Sequence, residues 1–320
     1  MKSLVALSSL LVSVVAVEST ITSSIDILLE YVKIPAVETY YVCQQFQIPD
    51  DRPLHVTKFE PIINSSAIHH MLLFGCSFDM DEGPHPCGGI DNRCRSWLVK
   101  WDMGMVGDIE MPSNAGVRIG KGAFKYILLQ IHWNNPDKRA DLTDQSGMRL
   151  HVTSSLRPYD IGNVQIGQNE IHIPGLRQSN PVSGGCSGRC TGLMLPRPIH
   201  LTDIYLHMHS LGYRAALDIQ REREVWERVA LEDNYDYRRP MWHHLNDTAI
   251  VNPGDSVRLT CWYNSVDGNR ERANMTTFGQ GSTAEMCYAF VRYYPQVLGF
   301  DQCLQNGTLN INCMFKNKPE

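Results

Sequence analysis

Helical periodicity is nearly missing from this chain, and that limits its fold more than any other feature. Short β-branched and aromatic runs are instead punctuated by Pro, Gly, Asn and Asp. They include Tyr126–His132, Ile199–Met208, Ala249–Val251 and Val257–Tyr263, the last two joined by Asn252-Pro253-Gly254-Asp255. Such runs predict an all-β protein built of antiparallel sandwiches. At 320 residues the chain has room for two domains, each with its own core. The break is expected within Ser154–Gly167, where Pro158, Asp160 and Gly162 interrupt the pattern. Two segments depart from the β reading. Asp91–Met103, with Trp97 and Trp101 four apart, offers one helical possibility, against which stands a Cys94 open to being tied down, while Arg221–Arg228 reads equally as a short helix or a strand edge.

The first residues assign a compartment. Lys2 precedes an apolar run from Leu4 to Val17, and Val14 with Ala16 forms a small-residue cleavage pattern, so residues 1–17 read as a signal peptide. That run is shorter than the roughly 20 residues a membrane span needs. No other stretch is long enough to span, and the polar tail from Phe315 to Glu320 is not a lipid-anchor signal. Glycosylation sequons begin at Asn64, Asn246, Asn274 and Asn306, which fits a secreted protein. The ten cysteines are an even number and are expected to pair in an oxidising compartment.

Charge and motifs exclude several functions. The formal net charge is −5 and Lys and Arg form no long block, so no nucleic-acid partner is expected. The chain has no P-loop, no His-Glu-x-x-His, no Gly-x-Ser-x-Gly and no strand-borne Gly-x-Gly-x-x-Gly. Histidine is what remains. His207-Met208-His209 lies in the apolar stretch Asp203–Leu211. Strand residues two apart share a face, so both imidazoles can grip one metal while Met208 points away; a solvated pair would carry the same spacing. His69-His70 precedes Met71-Leu72-Leu73-Phe74. Adjacent strand residues point to opposite faces, so these two share an ion only where a bulge or strand start breaks the alternation. By themselves His132, ending Leu129-Gln130-Ile131, reads as structural and Met286 as core filler. Together these residues suggest one His₃ set and one His₂Met set. Imidazole suits several transition metals, whereas a thioether favours Cu(I) over Zn(II).

The strings His69-His70-Met71-Leu72-Leu73-Phe74-Gly75-Cys76, Gln130-Ile131-His132, His207-Met208-His209 and Glu285-Met286-Cys287 closely resemble the ascorbate-dependent type II copper monooxygenases. The likeness runs from Ile34 to Cys303. It implies two tandem jelly-roll-like domains, residues 18–158 and 159–320, each with a copper site facing a solvent-filled interdomain cleft. His69, His70 and His132 would hold an electron-transfer copper, and His207, His209 and Met286 an O₂-binding copper. Two copper ions, ascorbate as reductant and O₂ as co-substrate are implied, with oxygen inserted into an activated C–H bond. The resemblance also implies the disulfides Cys43–Cys87, Cys76–Cys94, Cys186–Cys303, Cys190–Cys313 and Cys261–Cys287. The last of these would pin the neighbouring Met286.

Several positions depart from the family's usual pattern. Met208 stands where Thr is usual, and Phe290 where Tyr is usual. Tyr205 replaces the arginine that binds a peptide carboxylate in the amidating branch, which disfavours a peptidylglycine substrate. Ile34–Thr39 and Val291–Gln296 are similar to the amine-hydroxylase and DBH-like branch, but Leu72 replaces an acidic residue of dopamine β-hydroxylase. That branch's amine enzymes also carry an N-terminal DOMON domain, for which this chain is expected to have no room. The expected function is a secreted, DBH-like monooxygenase of a small molecule, with an amine-like substrate allowed by the resemblance. The alternatives are a copper-binding but catalytically silent glycoprotein and an extracellular matrix component that uses the scaffold. His243-His244 is expected in a polar loop, and His55, His85, His151, His172 and His200 are expected to be exposed or hydrogen-bonded; none of the seven is expected to bind metal.

Overall fold

The computed structural model describes residues 22–310 and residue 313, apart from 50, 81–82, 89–93, 95, 222–224, 240, 268–270, 280 and 282. The expected signal peptide lies outside the described residues. Strand dominates the regular structure. The exception among the described residues is a helix of seven residues, Gly188–Met194, whose preceding Ser187 accepts a hydrogen bond from the Cys190 N–H.

Each half of the chain forms two facing sheets. In the first domain an outer sheet runs in the order Thr22–Leu28, Gly147–Thr153, Pro53–Ile62, Ala115–Gly120, Tyr159–Asp160. Its inner sheet runs His85–Pro86, Thr39–Gln47, Tyr126–Asn134, Ile68–Cys76, Ser96–Asp102. In the second domain the inner sheet runs Trp242–Val251, Ile199–His207, Cys287–Tyr294, Gly162–Gln168, Gln302–Asn306, Leu309–Asn310, and the outer sheet Asn180–Cys186, Ser256–Tyr263, Gly212–Gln220, Glu227–Glu232. Pairing is antiparallel except for Tyr159–Asp160 beside Ala115–Gly116 and Gln165–Gln168 beside Gln302–Gln305. The chain passes between domains where its composition breaks. Thr153 ends a strand of the first domain, Tyr159–Asp160 still pairs there, and Gly162 starts a strand of the second.

Strand alternation puts two different surfaces on each inner sheet. On Tyr126–Asn134, Ile127, Leu129, Ile131 and Trp133 fill the first core, while Leu128 packs in a separate cluster with Tyr205, Tyr288 and Phe290 of the second domain. On Cys287–Tyr294, Cys287, Ala289, Val291 and Tyr293 fill the second core, leaving Tyr288 and Phe290 for the partner sheet. The two inner sheets are therefore buried on both faces, and the domains pack against each other through them.

This double burial explains where the expected helix fails. Ser96–Asp102 is a strand, and residues 91–93 and 95 lie outside the described set. Leu98, Val99 and Trp101 enter the first core while Trp97 packs on the other domain, so the apolar run has no period to distinguish it from a helix. Of Arg221–Arg228, Glu227 and Arg228 begin the strand Glu227–Glu232, which pairs with Gly212–Gln220, and residues 222–224 lie outside the described set. His243 and His244 lie on the strand Trp242–Val251 rather than in a loop, bonded to Glu232 and Asp203. Of the isolated histidines, His55 is fully buried and bonded to Asp160, and His151 is bonded to Glu60. His200 departs from expectation, because its buried Nδ1 has no hydrogen-bond partner and its ring stacks on Tyr294.

Cys43 is joined to Cys87, Cys76 to Cys94, Cys186 to Cys303, Cys190 to Cys313 and Cys261 to Cys287. Asn64, Asn274 and Asn306 are exposed, and the side chain of Asn246 lies outside the described ones.

Candidate metal centre

The first cluster is built by register. His70 on Ile68–Cys76 lies directly opposite His132 on Tyr126–Asn134, and the next pair is Ile68 with Trp133. His69 is thus the extra residue of a β-bulge. Without the bulge, alternation would send it into the core with Met71 and Leu73. With it, His69, His70 and His132 each offer a ring nitrogen, all within 4.8 Å of one another. The Nδ1 atoms of His69 and His70 are 3.3 Å apart. Both ring nitrogens of His132 are buried and have no hydrogen-bond partner among the described residues. Tyr41, opposite His132 on the neighbouring strand, stacks flat on that ring at 4.2 Å. Burial holds all three imidazoles below the ordinary histidine range and pushes His132 down to about 3. They are therefore neutral imidazoles that could offer lone pairs to a metal at physiological pH.

The second cluster sits at the end of a strand. His207 and His209 place their rings 5.4 Å apart and nearly perpendicular. Met208 between them is fully buried in the second core, where its Cβ and sulfur lie against Gly212 so closely that any side chain there would collide. The unusual residue of this motif is thus a core residue facing away from the histidines. The His209 Nδ1–H donates to the Ala284 carbonyl at 2.8 Å, which leaves Nε2 as its lone-pair nitrogen. His207 lies opposite Tyr288, two residues from Met286, and Glu285 Oε2 accepts from the backbone N–H groups of both His209 and Met286. Glu285, fully buried, accepts the backbone N–H groups of His209 and Leu211 and binds the two segments together. Burial raises its carboxyl to about 7 against the pull of those bonds. Tyr263 donates to the Met286 carbonyl at 2.7 Å, and Cys287 is tied to Cys261 two residues from Tyr263.

Between the clusters the solvent-filled cleft implied by the sequence is bridged by direct contacts. The Tyr205 hydroxyl donates to Asp102 Oδ2 at 2.8 Å, and Lys100 Nζ lies 3.1 Å from the same carboxylate oxygen and 3.4 Å from His207 Nδ1. Asp102 Oδ1 is 4.0 Å from His70 Nδ1. Trp97 meets the edge of Phe290 at 5.3 Å, and Lys100 lies over the Tyr205 and Phe290 rings. The sequence reading passed over Lys100, Asp102, Tyr41 and the supporting role of Glu285. A Lys and an Asp two apart inside the apolar Ser96–Asp102 run were the available signal.

Cys186, Cys190 and Cys313 also bring three sulfurs together, but all three are disulfide-bonded and so offer no thiolate. No helix among the described residues is long and apolar enough to cross a membrane.

Two sandwiches in tandem, each with a histidine cluster, are matched in order by the two domains of one family. Residues 25–140 match the N-terminal domain, and residues 159–316 the C-terminal domain, of the copper type II ascorbate-dependent monooxygenases, and the chain belongs to that family. It is 33% identical to dopamine beta-hydroxylase of Homo sapiens over 282 residues, covering 83% of this chain and 45% of the relative. It is 31% identical to DBH-like monooxygenase protein 1 of Mus musculus over 303 residues, covering 88% and 48%. With tyramine beta-hydroxylase of Caenorhabditis briggsae it shares 30% over 296 residues, covering 86% and 49%. The chain thus spans about half the length of the curated relatives it matches.

Proposed function

We propose that this chain is a secreted monooxygenase that uses two coppers, ascorbate and O₂ to hydroxylate an activated C–H bond of a small molecule. In this reading His69, His70 and His132 hold the electron-transfer copper of a domain over residues 18–158. His207, His209 and Met286 hold the O₂-binding copper of a domain over 159–320, after a signal peptide of residues 1–17. The observation that carries it is the His69–His70–His132 convergence, because three imidazoles meet there and the buried nitrogens of His132, without a hydrogen-bond partner among the described residues, are costly unless something binds them. The donor chemistry fits copper: three imidazoles in one set, two imidazoles and a thioether in the other. Bound there, copper would supply one-electron chemistry and O₂ activation.

The chain's own residues would position and insulate that chemistry. The bulge and the Tyr41 stack orient the first set. The Ala284 carbonyl fixes the tautomer of His209, and Tyr263 with Glu285 restrains Met286. Trp97, Tyr205 and Phe290 keep water away from the space between the sets. Secretion is supported by the five disulfides and by exposed sequon asparagines at 64, 274 and 306. The relatives named for dopamine and tyramine suggest an amine-like substrate as the first class to screen.

A second reading, a copper-binding glycoprotein without turnover, is favoured by the buried Lys100 contact on His207. Metal analysis paired with O₂ uptake separates the two. The monooxygenase reading expects two coppers per chain and O₂ consumption that requires ascorbate and substrate. Two coppers without coupled hydroxylation across a broad screen would hand the case to the silent reading, and no copper would overturn both.

A further inference from the structure

We propose that Lys100, a residue of the first domain, competes with the metal ion for His207 in the second. Loading of the second ligand set is then coupled to release of a contact between the domains. This deepens the function proposed above and rests on its assignment of His207 as a ligand.

The argument begins with hydrogen-bond chemistry. Lys100 is 3% exposed, and its ammonium lies 3.1 Å from Asp102 and 3.4 Å from His207 Nδ1. An ammonium donates and cannot accept, so His207 must present a lone pair at Nδ1. A neutral imidazole has one such nitrogen. If an ion takes Nδ1, Lys100 is displaced. If an ion takes Nε2, the proton must move to Nδ1, where it faces an ammonium that cannot receive it. In both cases the hydrogen bond from Lys100 and the bond to the metal exclude each other. Charge acts in the same direction, since two cations repel strongly where water screens little.

Asp102 decides where Lys100 can go. Its Oδ2 binds both Lys100 and the Tyr205 hydroxyl, and its Oδ1 lies near His70 of the first set. A Lys100 released from His207 keeps this carboxylate and the faces of Tyr205 and Phe290. Lys100 and Asp102 are therefore positioning residues that link the two ligand sets, although both sit on one strand of one domain.

The test uses the full chain carrying His132→Ala, so that copper binding reports the second set. Cu(I) affinity is read by competition with a chromophoric chelator, and the Cu(II) spectrum by electron paramagnetic resonance. Lys100→Met is expected to tighten the second set about ten-fold, from an unscreened charge being removed. Asp102→Asn leaves His207 as the main partner of Lys100 and is expected to loosen it by a similar factor. A merely structural role would loosen both variants, so opposite signs identify the competition. Should Lys100→Met fail to fold, Lys100→Gln removes the same charge with a polar chain. An unmoved second set, or the same sign in both variants, overturns the inference. A parent protein that binds no copper overturns the copper reading itself, and this inference with it.

Discussion

The two histidine clusters are assembled by different means. The first is made by a sheet: three imidazoles on two neighbouring strands, with one bulge turning His69 to the side of His70 and His132. The second is made where a strand stops. His207 ends Ile199–His207, while His209 and Met286 lie beyond the ladder and are held by Glu285, by the Ala284 carbonyl and by Tyr263. A sheet-borne site is rigid because backbone pairing sets its geometry. A site at a strand end depends on buried polar contacts, and a neighbouring domain can disturb it, as Lys100 does.

The sharpest way to break this contrast is to remove one ligand from each side. His132→Ala is expected to abolish one of two bound coppers, weakening the first set by more than about a hundred-fold. Met286→Ala is expected to weaken the second while leaving the first intact. Inductively coupled plasma mass spectrometry on both variants checks this, and loss of both coppers from either one would contradict separate sites.

The next effect is on stability. Glu285→Ala orphans the buried N–H groups of His209 and Leu211 and is expected to cost about 2–4 kcal/mol by urea unfolding. A loss under about 0.5 kcal/mol would mean that Glu285 does not organise the second site.

Acid should act on both clusters. Burial lowers the folded-state values of His55, His69, His70, His132, His207 and His209. The unfolded chain takes up these protons near pH 6.5 and the folded one does not, so the native state is favoured fully above about pH 6.5 and less as pH falls. Tm of chelator-treated protein is expected to drop steadily from pH 7 to pH 5 by calorimetry, with His132 eroding stability down to about 3. A flat Tm across that range would show that the clusters are not buried neutral.

The smallest expected effect is that of Tyr41→Leu. Losing the stack on His132 should cost about 1 kcal/mol and alter the spectrum of the first copper alone.

Much of this was legible beforehand because the strand signal is local. Tyr126–His132, Ile199–Met208 and Val257–Tyr263 fall on strands, apart from Met208, just past the strand end, since β-branched and aromatic residues favour a pleated, half-buried surface. The His69-His70 and His207-Met208-His209 motifs were visible as candidates, whereas His132 and Met286 entered only through the family resemblance. Ser96–Asp102 was misread because burial on both faces erases the period that separates strand from helix. His243 and His244 were misread because polar residues on an edge strand look like a loop.

By itself the sequence determined an all-β chain of two domains, and its resemblance to a family singled out the histidines, the methionine and the cysteine pairs of the candidate sites. The fold class follows from residue type and short spacing, which need no partner to be read. Only the tertiary structure decided that His69 escapes the core through a bulge and that Lys100 reaches His207. Each depends on which strands lie side by side and how two domains meet, and those distances are set by contacts between residues about 60 to more than 100 positions apart in the chain.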